Sequence, residues 1–388
     1  MPEQKPLVNF SDFLRGNSRM ALLALALIFI LALGLRIYGI SEKIEAPDEN
    51  LTLAELSRFT PAPVEGAAFD FNPPLYYFLV APAYLLAPGL ASVRLMGALF
   101  GALTVLVIFF LAREFMGENK SLLAAFLFAI YPYSIVYSQQ ARNYALAALL
   151  FSVSLILWAR LMKGKGQPWH LAAVYAAMLY AHYFLIFGII GQAAVTLLLK
   201  MRGKAPDFGK FVKVAAIAAA LSIPLFFILA SQYGYSGMSK STPSIDPRFV
   251  LNYPRHGIGL DYGFNFNSVY GIFGAPIPRL ILPILAAWAL ALAGMRMLLK
   301  KGGGMPALVK LYFAILLIVV LAGFASPPLA RPQYIFFTTP LFILFIARGA
   351  DYERLPLAML FCILVLGWLQ AILFYYSHLP DLHYIGLP

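Results

Sequence analysis

The sequence has 388 residues, of which 61% are hydrophobic and only 12% charged, and its mean hydropathy is +0.79. A soluble domain cannot bury that much apolar surface, so the composition indicates an integral membrane protein. The formal net charge of +12 would suit a nucleic-acid-binding protein, but the basic residues gather in alternate loops of a membrane topology. Nucleic acid is therefore not an expected partner.

Apolar runs of about 15 to 22 residues recur along the chain and match helices that cross a hydrocarbon core about 30 Å thick. They lack the alternation of polar and apolar residues that is typical of an outer-membrane barrel. The sequence therefore predicts an all-helical, polytopic membrane protein with about eleven spans and no separate soluble domain. The predicted spans are 20–40, 91–112, 121–137, 144–162, 168–181, 184–199, 212–231, 276–298, 308–325, 334–347 and 355–376.

The charged loops predict the orientation. Residues 200–213 hold five basic and one acidic residue, and residues 296–310 hold four basic and none acidic, as cytoplasmic loops do. We expect the N-terminus on the cytoplasmic side of the cell membrane and the C-terminus outside. The first span lacks a small-residue cleavage site and is expected to stay as an anchor, and the single cysteine, Cys362, is expected to serve in packing.

The first predicted outer loop, residues 41–90, begins with the most acidic stretch of the chain. Asp48 and Glu49 stand at the start of a predicted amphipathic helix over 49–59, where the helix dipole favours ionised carboxylates. Residues 73–87 are interrupted by proline and too short to span comfortably, so they are expected to form an outer-surface or re-entrant helix. An active site on this face is the hypothesis that follows.

Arginines on the same predicted face strengthen that hypothesis. A cation beside an apolar helix is costly unless it pairs or binds an anion. A carboxylate among arginines suits transfer from a phosphate-linked donor, because the base takes a proton from an acceptor hydroxyl and guanidinium groups stabilise the departing phosphate. Interfacial anchoring is the alternative, and for Arg36 it is favoured, with the side chain snorkelling to water. The outer-face arginines are Arg58, Arg94, Arg142 and Arg331.

A long outer loop, residues 232–275, is rich in glycine, aromatic residues and asparagine. It suits a mobile lid over a sugar or an acceptor, or equally a packed cap without substrate contact. If the loop is a lid, the residues expected to contact the substrate are Arg248, Arg255 and His256.

Several short motifs follow one another over the first half of the chain and again near its end. They are Pro47-Asp48-Glu49, Asn72-Pro73-Pro74-Leu75-Tyr76-Tyr77, Arg94, the stretch from Tyr137 to Ala145 that includes Gln140, Arg142 and Tyr144, Ala181-His182-Tyr183-Phe184, and Arg331-Pro332-Gln333-Tyr334. In this order and spacing the chain resembles the GT-C superfamily of membrane glycosyltransferases, in the branch of protein O-mannosyltransferases, aminoarabinose transferases of lipid A and RgtA/B/C/D-like enzymes.

This resemblance implies an inverting transferase that moves a sugar from a polyprenyl-phosphate-linked donor to a hydroxyl of a lipid, glycan or protein at the outer face of the membrane. It implies that Asp48 is the catalytic base and that Glu49 helps to place the acceptor. Arg94 and Arg331 would hold the donor phosphate or brace the acidic loop. Further substrate-binding candidates are Arg58, Asn72, Gln140, Arg142, Tyr144, His182 and Tyr334.

Two points separate this chain from parts of the superfamily. Many members of the superfamily have a His-Pro-Pro-Leu motif where this chain has asparagine, Asn72, in place of the histidine. A role that needs an imidazole is therefore not expected there, although an amide can still hydrogen-bond. The oligosaccharyltransferase branch looks metal-dependent through an acidic motif in a later outer loop, and here that loop, residues 138–143, contains no acid. We therefore expect neither metal nor cofactor, unless Asp246 and Asp261 fold over the site.

Other functions stay open. A glycan polymerase or ligase would take a diphosphate-linked donor. A non-catalytic binding protein for the lipid carrier would explain the arginines without Asp48. A secondary transporter usually carries ionisable residues near mid-membrane or repeated halves, whereas the middles of these spans hold no acids.

Overall fold

The computed structural model describes residues 18–43, 45–61, 72–203, 207–235, 278–300, 305–325, 336–350 and 354–377, and this part of the chain contains helices and no strand. The helices in chain order are α1 (Arg19–Ile37), α2 (Pro47–Ser57), α3 (Leu75–Leu86), α4 (Leu90–Arg113), α5 (Glu118–Ala129), α6 (Pro132–Ser138), α7 (Tyr144–Met162), α8 (Pro168–Ala181), α9 (Leu185–Met201), α10 (Phe208–Tyr235), α11 (Pro278–Lys300), α12 (Met305–Ala325), a 3-10 turn (Phe336–Thr338), α13 (Thr339–Gly349) and α14 (Leu355–Ser377).

Five of the described helices, α1, α4, α7, α10 and α14, are long and apolar enough to cross a membrane, and the bent pair α5 and α6 would make a sixth. Other apolar helices, including α3, α9 and α13, are shorter. The all-helical, polytopic class predicted from the sequence is thereby confirmed. The count of about eleven spans stays a prediction.

The predicted continuous span over 121–137 is wrong. Helix α5 ends at Ala129, and α6 begins at Pro132 after a bend of 56°. Proline has no amide hydrogen, and it disfavours a helical conformation in the residue before it. Tyr131 is accordingly extended, with φ −69° and ψ 117°. The bend turns α6 aside and leaves the last carbonyl groups of α5 without partners in their own helix.

Arg36 supplies those partners, so the expectation that its side chain snorkels to water is wrong. Its side chain is fully buried. The guanidinium donates to the carbonyl oxygens of Phe128 (3.2 Å) and Ala129 (3.1 Å) at the end of α5. It also donates to the hydroxyls of Ser134 (2.7 Å) and Ser138 (3.2 Å) on α6. A cation at a helix C-terminus is favoured by the helix dipole, so Arg36 stabilises the bend.

Two clusters of buried side chains hold the bundle together. The larger one joins α4, α5, α7, α11, α12 and α13 around aromatic residues such as Phe109, Phe151 and Trp158. The smaller one contains Leu56 of α2 and Tyr77 of α3, which pack against the start of α4 and of α7. Because the smaller cluster anchors α2, it positions the acidic residues at the start of that helix.

Candidate active site

The first turn of α2 carries both acidic candidates. Pro47 begins the helix, where its fixed φ suits the first position and its missing amide hydrogen is not needed. Glu49 is the third helical residue, and its Oε2 accepts a hydrogen bond of 2.9 Å from the backbone N–H of Ala46. A glutamate at this position often reaches back in this way and satisfies the residue that caps the helix.

Glu49 and Arg94 form a buried ion pair. Arg94 Nε lies 2.9 Å from Glu49 Oε1, and Nη2 lies 2.7 Å from Oε2, so the pair is bidentate. The side chain of Glu49 is fully buried and that of Arg94 is 2% exposed. The backbone N–H of Ala141 adds a hydrogen bond of 2.7 Å to Oε1. Together with the bond from Ala46, four hydrogen bonds from the protein fill the carboxylate of Glu49.

The charges around Glu49 keep it ionised. Burial alone would raise the pKa of its carboxyl, but the hydrogen bonds from Arg94, the charges of Lys43 and Arg94 and the N–H of Ala141 together lower that pKa. Lys43 is half-buried, and burial lowers its pKa to about 8, opposed by the charge of Glu49 and assisted by that of Arg94. The carboxylate of Glu49 thus lies close to two basic groups, Lys43 in the same loop and Arg94 on α4.

Arg94 also ties the loop to α4. Its Nη1 donates to the carbonyl oxygens of Ile40 (3.0 Å) and Lys43 (2.9 Å). The sequence left two roles open for Arg94, holding the donor phosphate or bracing the acidic loop. These contacts, with a guanidinium that is almost entirely buried, favour bracing.

Asp48 has different surroundings from its neighbour. Its side chain is half-buried, and within the described ranges its carboxylate makes no hydrogen bond or ion pair. Its backbone is nevertheless held, because Arg142 Nη1 donates to the carbonyl oxygen of Asp48 at 2.9 Å and to Thr52 Oγ1 at 3.1 Å. A carboxylate on a fixed backbone that makes no hydrogen bond to a described residue is suited to accept a proton from a bound molecule.

A group of polar and aromatic residues at the start of α7 and the end of α8 lies next to Arg142. Asn143 Nδ2 donates to Asn72 Oδ1 (3.1 Å) and to the carbonyl oxygen of Ala181 (2.7 Å). The ring of Tyr144 lies 6.0 Å from that of His182, centroid to centroid. The structure therefore brings four predicted residues, Asn72, Arg142, Tyr144 and His182, to the same region.

His182 is a neutral, buried imidazole. Its side chain is 4% exposed, and burial, with a contribution from the charge of Arg142, lowers its pKa to about 3. Its Nδ1 accepts a hydrogen bond of 3.2 Å from the backbone N–H of Phe184, so in the neutral ring Nε2 carries the hydrogen. His182 can donate a hydrogen bond but does not serve as a cation near neutral pH.

The remaining predicted residues have fewer contacts or fall outside the described ranges. Arg58, directly after the end of α2, is exposed and pairs with Glu55 of that helix at 3.4 Å. Gln140 is half-buried, and its amide makes no hydrogen bond to a described residue. The other predicted residues lie outside the described part of the chain: Arg331, Tyr334, and from the large outer loop Asp246, Arg248, Arg255, His256 and Asp261.

Sequence reasoning missed several residues that build this site. Lys43 accepts a hydrogen bond from Arg94 at its carbonyl oxygen and Thr52 accepts one from Arg142 at its hydroxyl, and nothing in their sequence context distinguished them. Gln139 and Asn143 lay inside the motif from Tyr137 to Ala145 but received no role. Gln139 is buried, donates to the carbonyl oxygen of Tyr38 (2.8 Å) and accepts from the hydroxyl of Tyr375 (2.6 Å). It links α1 to the last helix directly behind the acidic loop.

A metal site finds little support in this geometry. In the described ranges no three His, Cys, Asp or Glu side chains come together as ligands would. Glu49 already accepts four hydrogen bonds from the protein, so of this adjacent pair Asp48 is the carboxylate that makes none with a described residue. Metal independence stays a prediction.

Comparison with known proteins finds a family match over part of the chain and a similar fold. Residues 71–228 match the sequence model of the dolichyl-phosphate-mannose-protein mannosyltransferase family. The fold is similar to that of the oligosaccharyltransferase AglB from Archaeoglobus fulgidus in complex with an inhibitory peptide and a dolichol-phosphate, with a TM-score of 0.60 and 14% identity over 95% of this chain. It is also similar to ArnT from Cupriavidus metallidurans bound to undecaprenyl phosphate, with a TM-score of 0.57 and 12% identity over 96% of this chain.

The extent of these matches differs. The chain spans 56% of AglB and 78% of ArnT, and no curated protein matches it. The family match covers α3 to most of α10 and includes Arg94, Arg142 and His182, while Asp48 and Glu49 precede it. The family model thus matches less than half of the chain, and the two solved structures show a similar fold at low sequence identity.

Proposed function

We propose that this protein is an inverting glycosyltransferase that uses a polyprenyl-phosphate-linked sugar, with Asp48 as its general base. The observation that carries the proposal is the contrast between two adjacent carboxylates. Glu49 is fully buried and filled by hydrogen bonds from the protein, whereas Asp48 is half-buried and makes none within the described ranges. A base must keep its lone pairs available for the substrate proton, and of these two carboxylates Asp48 is the one that does so among the described residues.

In the proposed reaction the acceptor hydroxyl attacks the anomeric carbon of the donor. Its proton passes to the carboxylate of Asp48 as the new carbon–oxygen bond forms, and the bond between the sugar and the phosphate breaks. The electron pair leaves with polyprenyl phosphate, whose negative charge needs cations nearby. Attack from the face opposite the phosphate inverts the anomeric configuration. Arg331 remains a predicted phosphate contact and Arg58 a substrate-binding candidate, while Arg142 holds the backbone of the base.

Glu49 and Arg94 have a positioning role in this proposal. The carboxylate of Glu49 is saturated by protein donors, so it does not place the acceptor by direct contact. Instead the ion pair joins α2 to α4 and sets the direction of the first turn of α2, which carries Asp48. His182 and Asn72 would hydrogen-bond the sugar or the phosphate from the opposite wall.

The donor class and the location are part of the same proposal. Two proteins of similar fold have structures in complex with dolichol-phosphate and with undecaprenyl phosphate, which supports a polyprenyl phosphate as the carrier. The predicted charge distribution places Asp48 at the outer face of the cell membrane. The donor would then enter sideways from the lipid, and the acceptor hydroxyl would reach Asp48 from the aqueous side.

The test measures release of free polyprenyl phosphate by the purified protein in lipid nanodiscs. The donors are undecaprenyl- and dolichyl-phosphate linked to mannose, glucose or 4-amino-4-deoxyarabinose, with extracted cell-envelope lipids and glycans as acceptors. Asp48→Asn should lose about 10²- to 10⁴-fold in turnover, the usual contribution of a general base. Glu45→Gln removes an exposed carboxylate from the same loop and should keep its activity.

Three outcomes would contradict the proposal. Full activity of Asp48→Asn would remove its mechanism. A product that keeps the anomeric configuration of the donor, measured by NMR, would exclude a single inverting displacement. Turnover by the wild type with diphosphate-linked donors alone would favour the polymerase or ligase alternative.

A further inference from the structure

The connection between α6 and α7, residues 139–143, holds the first turn of α2 in place. Within it, the backbone N–H of Ala141 donates to Glu49 Oε1 at 2.7 Å. The next residue, Arg142, donates from Nη1 to the carbonyl oxygen of Asp48 at 2.9 Å. Two successive residues of the connection thus contact two successive residues of the turn. The position of the connection therefore sets the position of Asp48.

Gln139 joins this connection to the end of α1. Its side chain is fully buried. Its Nε2 donates to the carbonyl oxygen of Tyr38 at 2.8 Å and to that of Arg36 at 3.2 Å. These carbonyl groups lie at the C-terminal end of α1, where a helix leaves its last carbonyl groups without partners of its own. Because the acidic loop begins directly after α1, Gln139 links the connection to the start of that loop.

Tyr375, on the last helix, completes the hydrogen bonds of the Gln139 amide. Its side chain is 3% exposed, and its hydroxyl donates to Gln139 Oε1 at 2.6 Å. The carbonyl groups at the end of α1 only accept hydrogen bonds, so they require the Nε2 side of the amide. Oε1 is thereby directed to the hydroxyl of Tyr375. A buried amide oxygen without this donor would be costly, so Tyr375 holds the amide in the orientation that α1 requires.

A second contact between α14 and α1 lies beside the first. The hydroxyl of Tyr376 contacts the carbonyl oxygen of Leu35. Its ring lies edge to face with that of Tyr38, at 5.1 Å between centroids. Two adjacent tyrosines of α14 therefore contact the end of α1 or the amide that binds it, and of these Tyr375 is the one that reaches Gln139.

We propose that Tyr375 and Gln139 are positioning residues for Asp48. Tyr375 orients the amide of Gln139, the amide fixes the connection 139–143 against α1, and the connection holds the backbone of Asp48 through Arg142. Their effect passes through contacts within the protein. The proposal deepens the proposed function and rests on it for the consequence in catalysis, and it gives the last helix of the chain a part in the active site.

The chain offers a closely matched control for Tyr375→Phe. Tyr175 on α8 donates to Gln192 Oε1 on α9 at 2.7 Å, and both side chains are buried. Tyr175→Phe therefore removes a hydrogen bond of the same chemistry, with nearly the same length and burial, from a part of the bundle that does not contact the acidic loop. The two variants should lose similar stability, whereas Tyr375→Phe alone should loosen the turn that carries Asp48.

Hydrogen–deuterium exchange of the purified full chain in lipid nanodiscs measures this loosening without any donor. Peptides that cover residues 45–52 and 139–143 should exchange at least about fivefold faster in Tyr375→Phe, and within about twofold of the wild type in Tyr175→Phe. Turnover is then measured as release of polyprenyl phosphate. The kcat of Tyr375→Phe should fall about 3- to 10-fold with an unchanged KM for the donor, because the effect is on the placement of the base. Tyr175→Phe should keep the kcat of the wild type.

A double-mutant cycle tests the route through the amide. In a Gln139→Met background, Tyr375→Phe should change kcat and exchange by less than about twofold, since the group that it orients is already absent. Unchanged exchange in Tyr375→Phe, an equal increase in Tyr175→Phe, or a full effect of Tyr375→Phe without Gln139 would each overturn the proposal. The comparison of the two tyrosine variants decides if Gln139→Met does not fold. Faster exchange in Tyr375→Phe together with full activity of Asp48→Asn would support the positioning contacts and contradict the proposed function alone.

Discussion

Replacing Glu49 by glutamine should destabilise the protein far more than replacing Asp48 by asparagine. Both changes remove one negative charge from the first turn of α2. In Glu49→Gln, however, the new amide group meets the N–H donors of Arg94, Ala46 and Ala141 at positions where the carboxylate accepted their hydrogen bonds. At least one donor loses its acceptor, and Arg94 is left as a buried cation without its counter-ion.

The structure sets the size of this effect. Breaking a buried ion pair by removing one partner costs about 3 to 5 kcal/mol, and the pair here is bidentate and almost fully buried. By contrast, the carboxylate of Asp48 makes no hydrogen bond within the described ranges, so Asp48→Asn should change the unfolding free energy by less than about 0.5 kcal/mol. Converted at about 2 °C per kcal/mol, the midpoint of Glu49→Gln should fall by about 6 to 10 °C.

Thermal unfolding of the detergent-purified variants, followed by intrinsic fluorescence, measures this difference. Glu55→Gln is the matched control, because Glu55 lies on the same helix and pairs with the exposed Arg58 at 3.4 Å. The Arg58 and Glu55 side chains are 39% and 18% exposed, and a pair that solvent reaches contributes at most about 1 kcal/mol. Equal midpoints for Glu49→Gln and Glu55→Gln, or a larger loss in Asp48→Asn, would refute the assignment of Glu49 as a structural brace.

Other consequences can be measured on the same protein. Gly97→Ala should cost about 1 to 3 kcal/mol, because its new Cβ would lie 2.7 Å from the carbonyl oxygen of Ser138, whereas Gly34→Ala meets nothing within 4 Å and should keep or raise the midpoint. The pKa of His182 is lowered to about 3 from 6.5, so below pH 6.5 the unfolded chain binds a proton that the folded chain refuses. Stability should fall by about 2 kcal/mol from pH 7 to pH 5 in the wild type and less in His182→Gln; an equal fall in both would count against a neutral buried imidazole. Transfer activity should survive EDTA, and its loss with rescue by Mg²⁺ or Mn²⁺ would show that metal independence is wrong.

The fold class was predictable because composition and hydropathy act along the whole chain, but local breaks were harder. A hydropathy window reads residues 121–137 as one apolar segment and averages over Pro132, although that proline was the visible signal of the bend. Arg36 shows the next level of difficulty. Its partners are carbonyl groups of α5 that become available only because of the bend. When residues 121–137 are interpreted as one straight span, water is the expected partner of Arg36.

The site was predictable in its members and less so in their roles. Asp48, Glu49, Arg94 and Arg142 were all identified from charge and position. Which carboxylate is buried, however, depends on Arg94, 45 positions further along the chain, and on the backbone N–H of Ala141, 92 positions away. Such a backbone donor leaves no mark in the sequence, because any residue other than proline would supply it.

Helix geometry explains why two neighbouring acids differ so much. Successive residues of an α-helix point about 100° apart, so when Glu49 faces α4 its predecessor cannot. Burying Glu49 as an anion requires a buried counter-ion, which Arg94 supplies, and the resulting pair makes the first turn of α2 rigid. Asp48 then has a fixed backbone, held further by Arg142, and a carboxylate that makes no hydrogen bond among the described residues. Glu49, whose carboxylate accepts hydrogen bonds from the protein, therefore orients Asp48, whose carboxylate is available to the substrate.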